Sequence, residues 1–372
     1  MMNNSGQKLR LAVLFGGRSG EHEVSLASAR SVLSVLDAKK YDIFPIGITH
    51  AGKWVHGQTV LDDMSTGKTE NLENVTILPD PETPGLYSIH HGSLELFTRL
   101  DVVFPVLHGT FGEDGTLQGL LEMADIAYVG GGVLGSSVGM DKGVFKDVMI
   151  ANGIPVVESI IALRGDIFKD IDLVINKAEE KFDYPIFVKP ANLGSSVGIS
   201  KCTNRSDLGE GLLEAAKFDR RILIERGVNA REIEVSVLGN DHPRASVAGE
   251  VLPSRDFYSY ESKYLDGTSG LIIPAQIPNS ISDQIRSMAI KAFTSIDCAG
   301  MARVDFFIDK KNDKIYLNEL NSIPGFTSIS MYPKLWQATD LPYDQLVDEL
   351  IELALERKKD RDQTVRNFRS NS

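Results

Sequence analysis

The chain has 372 residues, 42% of them hydrophobic, with 39 Lys and Arg against 51 Asp and Glu and a formal charge of −12. That length supports two or three packed domains, and an acidic balance with no dense basic run before the C-terminal tail argues against a nucleic-acid partner. The apolar run at 11–15 is too short for a signal peptide or a membrane span, and two distant cysteines, Cys202 and Cys298, fit reduced thiols in the cytoplasm better than a disulfide framework.

In chain order, residues 9–15 read as a buried strand and 16–20 as a glycine loop. A helix follows over 23–36, with Val24, Ala27, Val32 and Leu36 inward. A strand at 42–48 precedes a polar, proline-bearing stretch, 52–84, of short strands and loops. An apolar strand at 101–107 runs into His108-Gly109-Thr110-Phe111-Gly112-Glu113-Asp114-Gly115, and 116–123 reads as helix. Function tends to sit where such strands end. The glycine- and serine-rich segment 130–139 suggests a domain boundary, and 140–152 is helical until Gly153-Ile154-Pro155 stops it. Strands at 186–189, 199–202 and 222–225 with a helix at 208–218 make a compact α+β module. The remainder carries two acidic strands and a helix at 342–356, and the charged residues after Arg357 read as a fraying tail.

The acidic strands are the most informative part. In Arg303-Val304-Asp305-Phe306-Phe307, alternation puts Arg303 and Asp305 on one face. In 315–321, Ile315, Leu317, Glu319 and Asn321 share a face by the same count. If the strands pair through the polar turn at 309–314, the acidic groups and a carboxamide converge, which is the hard-oxygen set a magnesium nucleotide needs. Taken alone, these charges also fit a solvated hairpin. Lys189-Pro190 followed by Gly194-Ser195-Ser196-Val197-Gly198 is a lysine and a flexible loop able to approach phosphate oxygens, though not a P-loop, because the lysine comes first. Lys142 offers a second cation. The strand ending at Glu225 and the linker at Val228 present an edge suited to an adenine, with Glu232 in reach of a ribose. The long polar loop 255–270, with Tyr258, Tyr260, Lys263 and Tyr264, reads as a lid.

Arg-Val-Asp-Phe-Phe with Asn-Glu-Leu-Asn-Ser-Ile-Pro-Gly-Phe-Thr-Ser, the His108 to Gly115 segment, Met140-Asp141-Lys142, the Lys189 to Gly198 loop and Gly17-Arg18-Ser19-Gly20-Glu21-His22-Glu23-Val24-Ser25 together resemble D-alanine:D-alanine ligases of the ATP-grasp superfamily. The match spans nearly the whole chain in order. It implies an α/β ATP-grasp fold of three domains, 1–130, 131–228 and 229–372, with ATP between the last two and a lid at about 255–270. By the same resemblance Lys142, Lys189, Ser196 and Lys263 contact ATP together with Glu225, Val228 and Glu232, while Asp305, Glu319 and Asn321 hold a pair of magnesium ions, manganese being possible. Glu23 and His108 receive the ammonium group of the first D-alanine, Arg303 and the Gly325 amide hold the oxyanion, and Ser330 and the Met331 amide take the second carboxylate. Ser195, Tyr264 and Glu23 form a latch for the lid, with Tyr260 a possible substitute for Tyr264. The implied setting is a cytoplasmic homodimer making a peptidoglycan precursor. A D-lactate- or D-serine-accepting ligase, another ATP-grasp ligase and a non-catalytic nucleotide-binding module are the competing readings.

Overall fold

A computed structural model describes residues 7–194, 197–252 and 270–365. Ser195, Ser196 and nearly all of the expected lid, including Tyr258, Tyr260, Lys263 and Tyr264, lie outside the described residues.

The first sheet is built from β1 (Leu9–Gly16), β2 (Tyr41–Ile48), β3 (Trp54–His56), β4 (Glu73–Ile77), β5 (Gly85–His90), β6 (Ser93–Arg99), β7 (Val102–Pro105) and β8 (Ala127–Tyr128), in the order β6-β5-β4-β3-β2-β1-β7-β8. Strands β2, β1, β7 and β8 run parallel. β1 is almost wholly apolar because both its faces are covered: Leu11, Val13 and Phe15 enter one core, and Ala12 and Leu14 another. Helix α1 (His22–Val35) lies on the first of these faces through Leu26, Ala29 and Val32. The polar stretch after β2 also holds a short helix, α2 (Val60–Ser65), and α3 (Thr116–Met123) follows the His108 segment.

Most of the glycine- and serine-rich segment is helical. α4 (Val133–Met140) packs so tightly on Cys298 that a Cβ at Gly135 would lie 2.8 Å from the Cys298 Cα, so small residues here permit close approach. Asp141 then interrupts the helical run, accepting from the Gly143 and Val144 amides at 3.0 and 2.9 Å, and caps α5 (Lys142–Ala151).

The second sheet contains β9 (Ser159–Leu163), β10 (Ile186–Pro190), β11 (Ser200–Cys202) and β12 (Arg221–Arg226), all antiparallel, in the order β11-β10-β12-β9. Helices α6 (Arg164–Lys169), α7 (Ile171–Glu179) and α8 (Arg205–Phe218) accompany it. Ile186, Val188, Ile222 and Ile224 pack with Val174, Leu208 and Leu212, so alternation sends Lys189 and Glu225 to the opposite face.

The third sheet orders β13 (Ala230–Gly239), β14 (Arg244–Leu252), β15 (Gly270–Ile272), β16 (Gly300–Asp309) and β17 (Ile315–Asn321) as β15-β14-β13-β16-β17, all antiparallel. Helix α9 (Asn279–Ser295) covers one face of it. Two further helices, α10 (Met331–Gln337) and α11 (Tyr343–Arg361), return to the first sheet: Tyr332, Trp336, Leu350 and Ile351 share one core with Leu11, Val13 and Val32.

Residues 357–361 are therefore not a fraying tail. α11 runs to Arg361, whose guanidinium binds Glu122 and Asp125, while Lys358 reaches Asp125 at 3.1 Å. Arg357 donates to the carbonyls of Gly130 and Tyr128 and lies 4.3 Å from the Tyr128 ring centroid. Arg357→Ala is expected to lose these contacts at a cost of about 1–2 kcal/mol, lowering Tm by about 1–3 °C. Differential scanning fluorimetry tests this, and an unchanged Tm would show the last turn of α11 to be dispensable.

Candidate active site

The hairpin of β16 and β17 pairs Arg303 with Asn321 and Asp305 with Glu319. One expectation about it is corrected. The register shifts between Asp305 and Phe306, leaving Asn318 as an extra residue, so Phe306 faces Leu317 although Asp305 faces Glu319. This bulge reverses the alternation: Ile315 and Leu317 point into the core under α9, whereas Glu319 and Asn321 share the other face with Arg303 and Asp305. Arg303 grips Asp305 by Nε at 2.8 Å and Nη2 at 2.7 Å, and its Nε lies 2.9 Å from Glu234 on β13. Asn321 donates to Asp305 at 3.0 Å. Lys142 stands 3.8 Å from Glu319. The donors of Asp305, Glu319 and Asn321 are oxygens only, gathered at one sheet edge beside a cation, which suits a hard divalent ion.

Toward the second sheet lies a charge cluster that the sequence revealed only in part. Glu225, 2% exposed, sits between Lys189 and Lys146, each at 2.5 Å. Burial alone raises its pKa, but the two ammonium groups outweigh burial and hold it at about 2. Lys146 also donates to the Val157 carbonyl at 3.0 Å. It was missed because it sits in the run Val144-Phe145-Lys146; its spacing of one helical turn from Lys142 was the available signal. Val228 lies on the link between β12 and β13, and Glu232 at the start of β13 contributes negative potential at Lys189.

Between the first and third sheets is a cavity lined by Glu21, His108, Glu113, Lys142, Arg303 and Gly325, among others. Glu23 is not in it. Its side chain is 71% exposed, 3.7 Å from His50. The chain turns into α1 at Glu21, so Glu21 points inward at 7% exposure while Glu23, two residues on, faces outward. Glu21 also lies against the phosphate-loop candidate: a Cβ at Gly194 would be 2.9 Å from its carboxylate.

His108, expected to receive the first ammonium group, lines the cavity with both ring nitrogens engaged by the protein. Burial lowers its pKa, with Arg303 adding to this and Glu21 opposing, so the ring is neutral. Nδ1 donates to the Ile323 carbonyl at 2.9 Å, which leaves Nε2 to accept from Ser28 at 3.1 Å. Ser28 in turn accepts from the Phe326 amide at 3.2 Å. Glu113 accepts from the Gly109 and Ile323 amides at 2.8 Å each, and burial, reinforced by Glu21, pushes it up to about 8. His108, Ser28 and Glu113 thus hold the segment carrying Gly325 against the first sheet.

Two family models match the chain, "D-ala D-ala ligase N-terminus" over residues 10–131 and "D-ala D-ala ligase C-terminus" over 148–352. The chain belongs to the D-alanine:D-alanine ligase family. A D-alanine--D-alanine ligase of Natranaerobius thermophilus is 47% identical over 363 residues, 97% of this chain and 99% of that protein. One from Chloroherpeton thalassium is 49% identical over 360 residues, 95% of this chain and 98% of its own. Among solved structures, the D-alanine-D-alanine ligase of Coxiella burnetii superimposes with a TM-score of 0.83 at 37% identity, covering 96% of each chain. The VanG D-Ala:D-Ser ligase of Enterococcus faecalis also reaches 0.83, at 35% identity, over 94% of this chain and 100% of that one. The fold is accordingly the ATP-grasp fold.

Within this ligase family frame, the structure brings Lys142, Arg303, Asp305, Glu319, Asn321 and Gly325 together, with Lys189 and Glu225 beside Lys146, one turn further along α5. Ser330 and Met331 do not line the cavity. Ser330 precedes α10, its hydroxyl 2.7 Å from that of Thr327, and the Met331 side chain packs on Val251 and Leu335. Glu21, Ser28, Glu113 and Lys146 are the residues that sequence reasoning passed over.

Proposed function

We propose that the chain joins two molecules of D-alanine into D-alanyl-D-alanine, driven by ATP through an acyl phosphate, for peptidoglycan precursor synthesis. The observation that carries this reading is one cavity shared by a carboxylate (Glu21), a guanidinium (Arg303), the Gly325 segment and an oxygen donor set flanked by Lys142. A carboxylate is a poor acyl donor, so the γ-phosphate moves to the first D-alanine, ADP leaves, and the carbonyl gains a good leaving group. Lys142 and Lys189 balance the charge of the phosphates, and Ser196 and Lys263 join them in this reading. Glu225, Val228 and Glu232 hold the adenosine. Asp305, Glu319 and Asn321 would hold magnesium, two ions or manganese in its place, which neutralises and aligns phosphate oxygens when bound.

The amine of the second D-alanine loses a proton and attacks the acyl carbon, and phosphate departs. Arg303 and the Gly325 amide face the oxyanion formed on the way. Glu21 replaces Glu23 as the group for the first ammonium and, lying against Gly194, as the partner of Ser195 and Tyr264 in the latch. Ser330 and the Met331 amide receive the second carboxylate. Domain limits at 1–130, 131–228 and 229–372 are supported by the three sheets, each of which falls within one span. No helix among the described residues is long and apolar enough to cross a membrane. Buried, unpaired Cys202 and Cys298 support the proposed cytoplasmic location, and a homodimer rests on the family resemblance. The test is D-alanine-dependent release of ADP and phosphate with the product identified by mass; no dipeptide from folded protein would overturn the reading.

For the acceptor, D-alanine is expected to be preferred over D-lactate. A site favouring the hydroxy acid needs a nearby cation to repel the ammonium form of an amino acid, and the sequence between Glu250 and Pro274 has no histidine. With equal D-alanine, D-serine and D-lactate from pH 6 to 8, D-alanyl-D-alanine should predominate. Ester as the main product at pH 7 would reverse this assignment, and D-alanyl-D-serine would align the chain with its VanG neighbour.

A further inference from the structure

We infer that Lys146 is a positioning residue for nucleobase selection, which holds Glu225 in place and ionised so that it accepts from a 6-amino purine and turns away a 6-oxo purine. This rests on the proposed contact between Glu225 and adenine. Three observations carry it. First, α5 presents two lysines one turn apart, with Lys142 at the Glu319 end of the site and Lys146 at the Glu225 end. The helix thereby spaces the phosphate and base ends of a nucleotide. Second, Lys189 and Lys146 occupy different oxygens of Glu225, Oε2 and Oε1, each at 2.5 Å. In the proposed reaction Lys189 goes to the phosphates, and then Lys146 is the cation that stays with the carboxylate. Third, Lys146 cannot serve the phosphates itself: its side chain is 4% exposed and its ammonium is tied to the Val157 carbonyl at 3.0 Å.

The physical need for such a residue is clear. A carboxylate as buried as Glu225 stays charged only beside a cation. Left alone when Lys189 departs, it would take up a proton. A carboxylate only accepts hydrogen bonds, so it pairs with the amino group of adenine and repels the oxygen of hypoxanthine. A neutral carboxyl can also donate, so it tolerates both bases. Lys146 would in this way convert a buried charge into base discrimination.

The experiment compares kcat/KM for ATP and for inosine triphosphate, which differs at the 6-position, in the full-length protein and in K146M, K146R, E225Q and the K146M/E225Q double variant. The expected result is that K146M compresses the ATP to ITP ratio about tenfold or more, that K146R restores part of it, and that adding K146M to E225Q changes the ratio no further. A purely structural lysine would lower both activities together and leave the ratio unchanged. If K146M fails to fold, the double variant, which leaves no carboxylate at position 225 to be stranded without Lys146, still gives the comparison with E225Q. A wild-type ratio in K146M, or a double variant well below E225Q, overturns the inference while leaving Glu225 as the base reader. A wild-type ratio in E225Q overturns the adenine contact itself, and the role of Lys146 falls with it.

Discussion

Replacing Arg303 with methionine is expected to lower turnover by about two to three orders of magnitude, equivalent to about 2.7–4 kcal/mol of transition-state stabilisation, the loss typical of a single oxyanion donor. Arg303 lines the cavity with Gly325 and is held by Asp305 on its own strand and Glu234 on the adjoining one. Such fixed placement lets a cation act on developing charge without reorganising. The same contacts predict a second effect. Glu234 and Asp305 are 6% and 9% exposed, so the variant leaves two nearly buried carboxylates short of a cation and should also melt earlier. Arg303→Lys keeps the charge but loses the fork that holds Asp305 with two hydrogen bonds, so it should fall between wild type and methionine. Nucleotide binding separates the effects: a folded methionine variant that still binds ATP but turns over slowly supports the role. Near-normal turnover would remove Arg303 from the chemistry.

Glu319→Gln should be at least as damaging, with kcat/KM falling by about three orders of magnitude and the magnesium requirement rising, because it deletes a charged oxygen from the proposed ligand set. Glu319 is also the partner of Lys142 at 3.8 Å. Neutralising it therefore loosens Lys142, the proposed phosphate ligand, as well. A magnesium titration of activity distinguishes the two consequences. Recovery at high magnesium points to the ligand role, whereas a uniform loss at every concentration points to Lys142. The same magnesium dependence as the parent, with normal turnover, would take Glu319 out of the ligand set.

Much of this site was legible in local sequence. The apolar runs at 9–15 and 101–107 announce strands buried on both faces, and β1 is apolar at nearly every position because helices cover both sides of it. The turn at 309–314 is short and polar, so β16 and β17 had to pair, and pairing brings Arg303, Asp305, Glu319 and Asn321 within reach. The face of β17 was not legible. Its alternation depends on a bulge at Asn318, which nothing in Leu317-Asn318-Glu319 distinguishes from regular strand.

Glu21 and Glu23 show the same boundary in a helix start. Both stand in one motif, and only the turn of the chain into α1 decides that Glu21 enters the cavity and Glu23 meets solvent. By itself the sequence determined the strands at 9–15, 101–107, 186–189 and 222–225, the acidic pair of strands, the candidate lysines Lys142 and Lys189 and the order of motifs along the chain, since each depends on periodicity or on side-chain chemistry within a few residues. The tertiary structure alone decided the partners of Glu225, the engagement of both nitrogens of His108, and the docking of Arg357 and Arg361 on the first sheet. These contacts join residues dozens to hundreds of positions apart, and a charged side chain carries no local mark of which distant charge will neutralise it once both are buried.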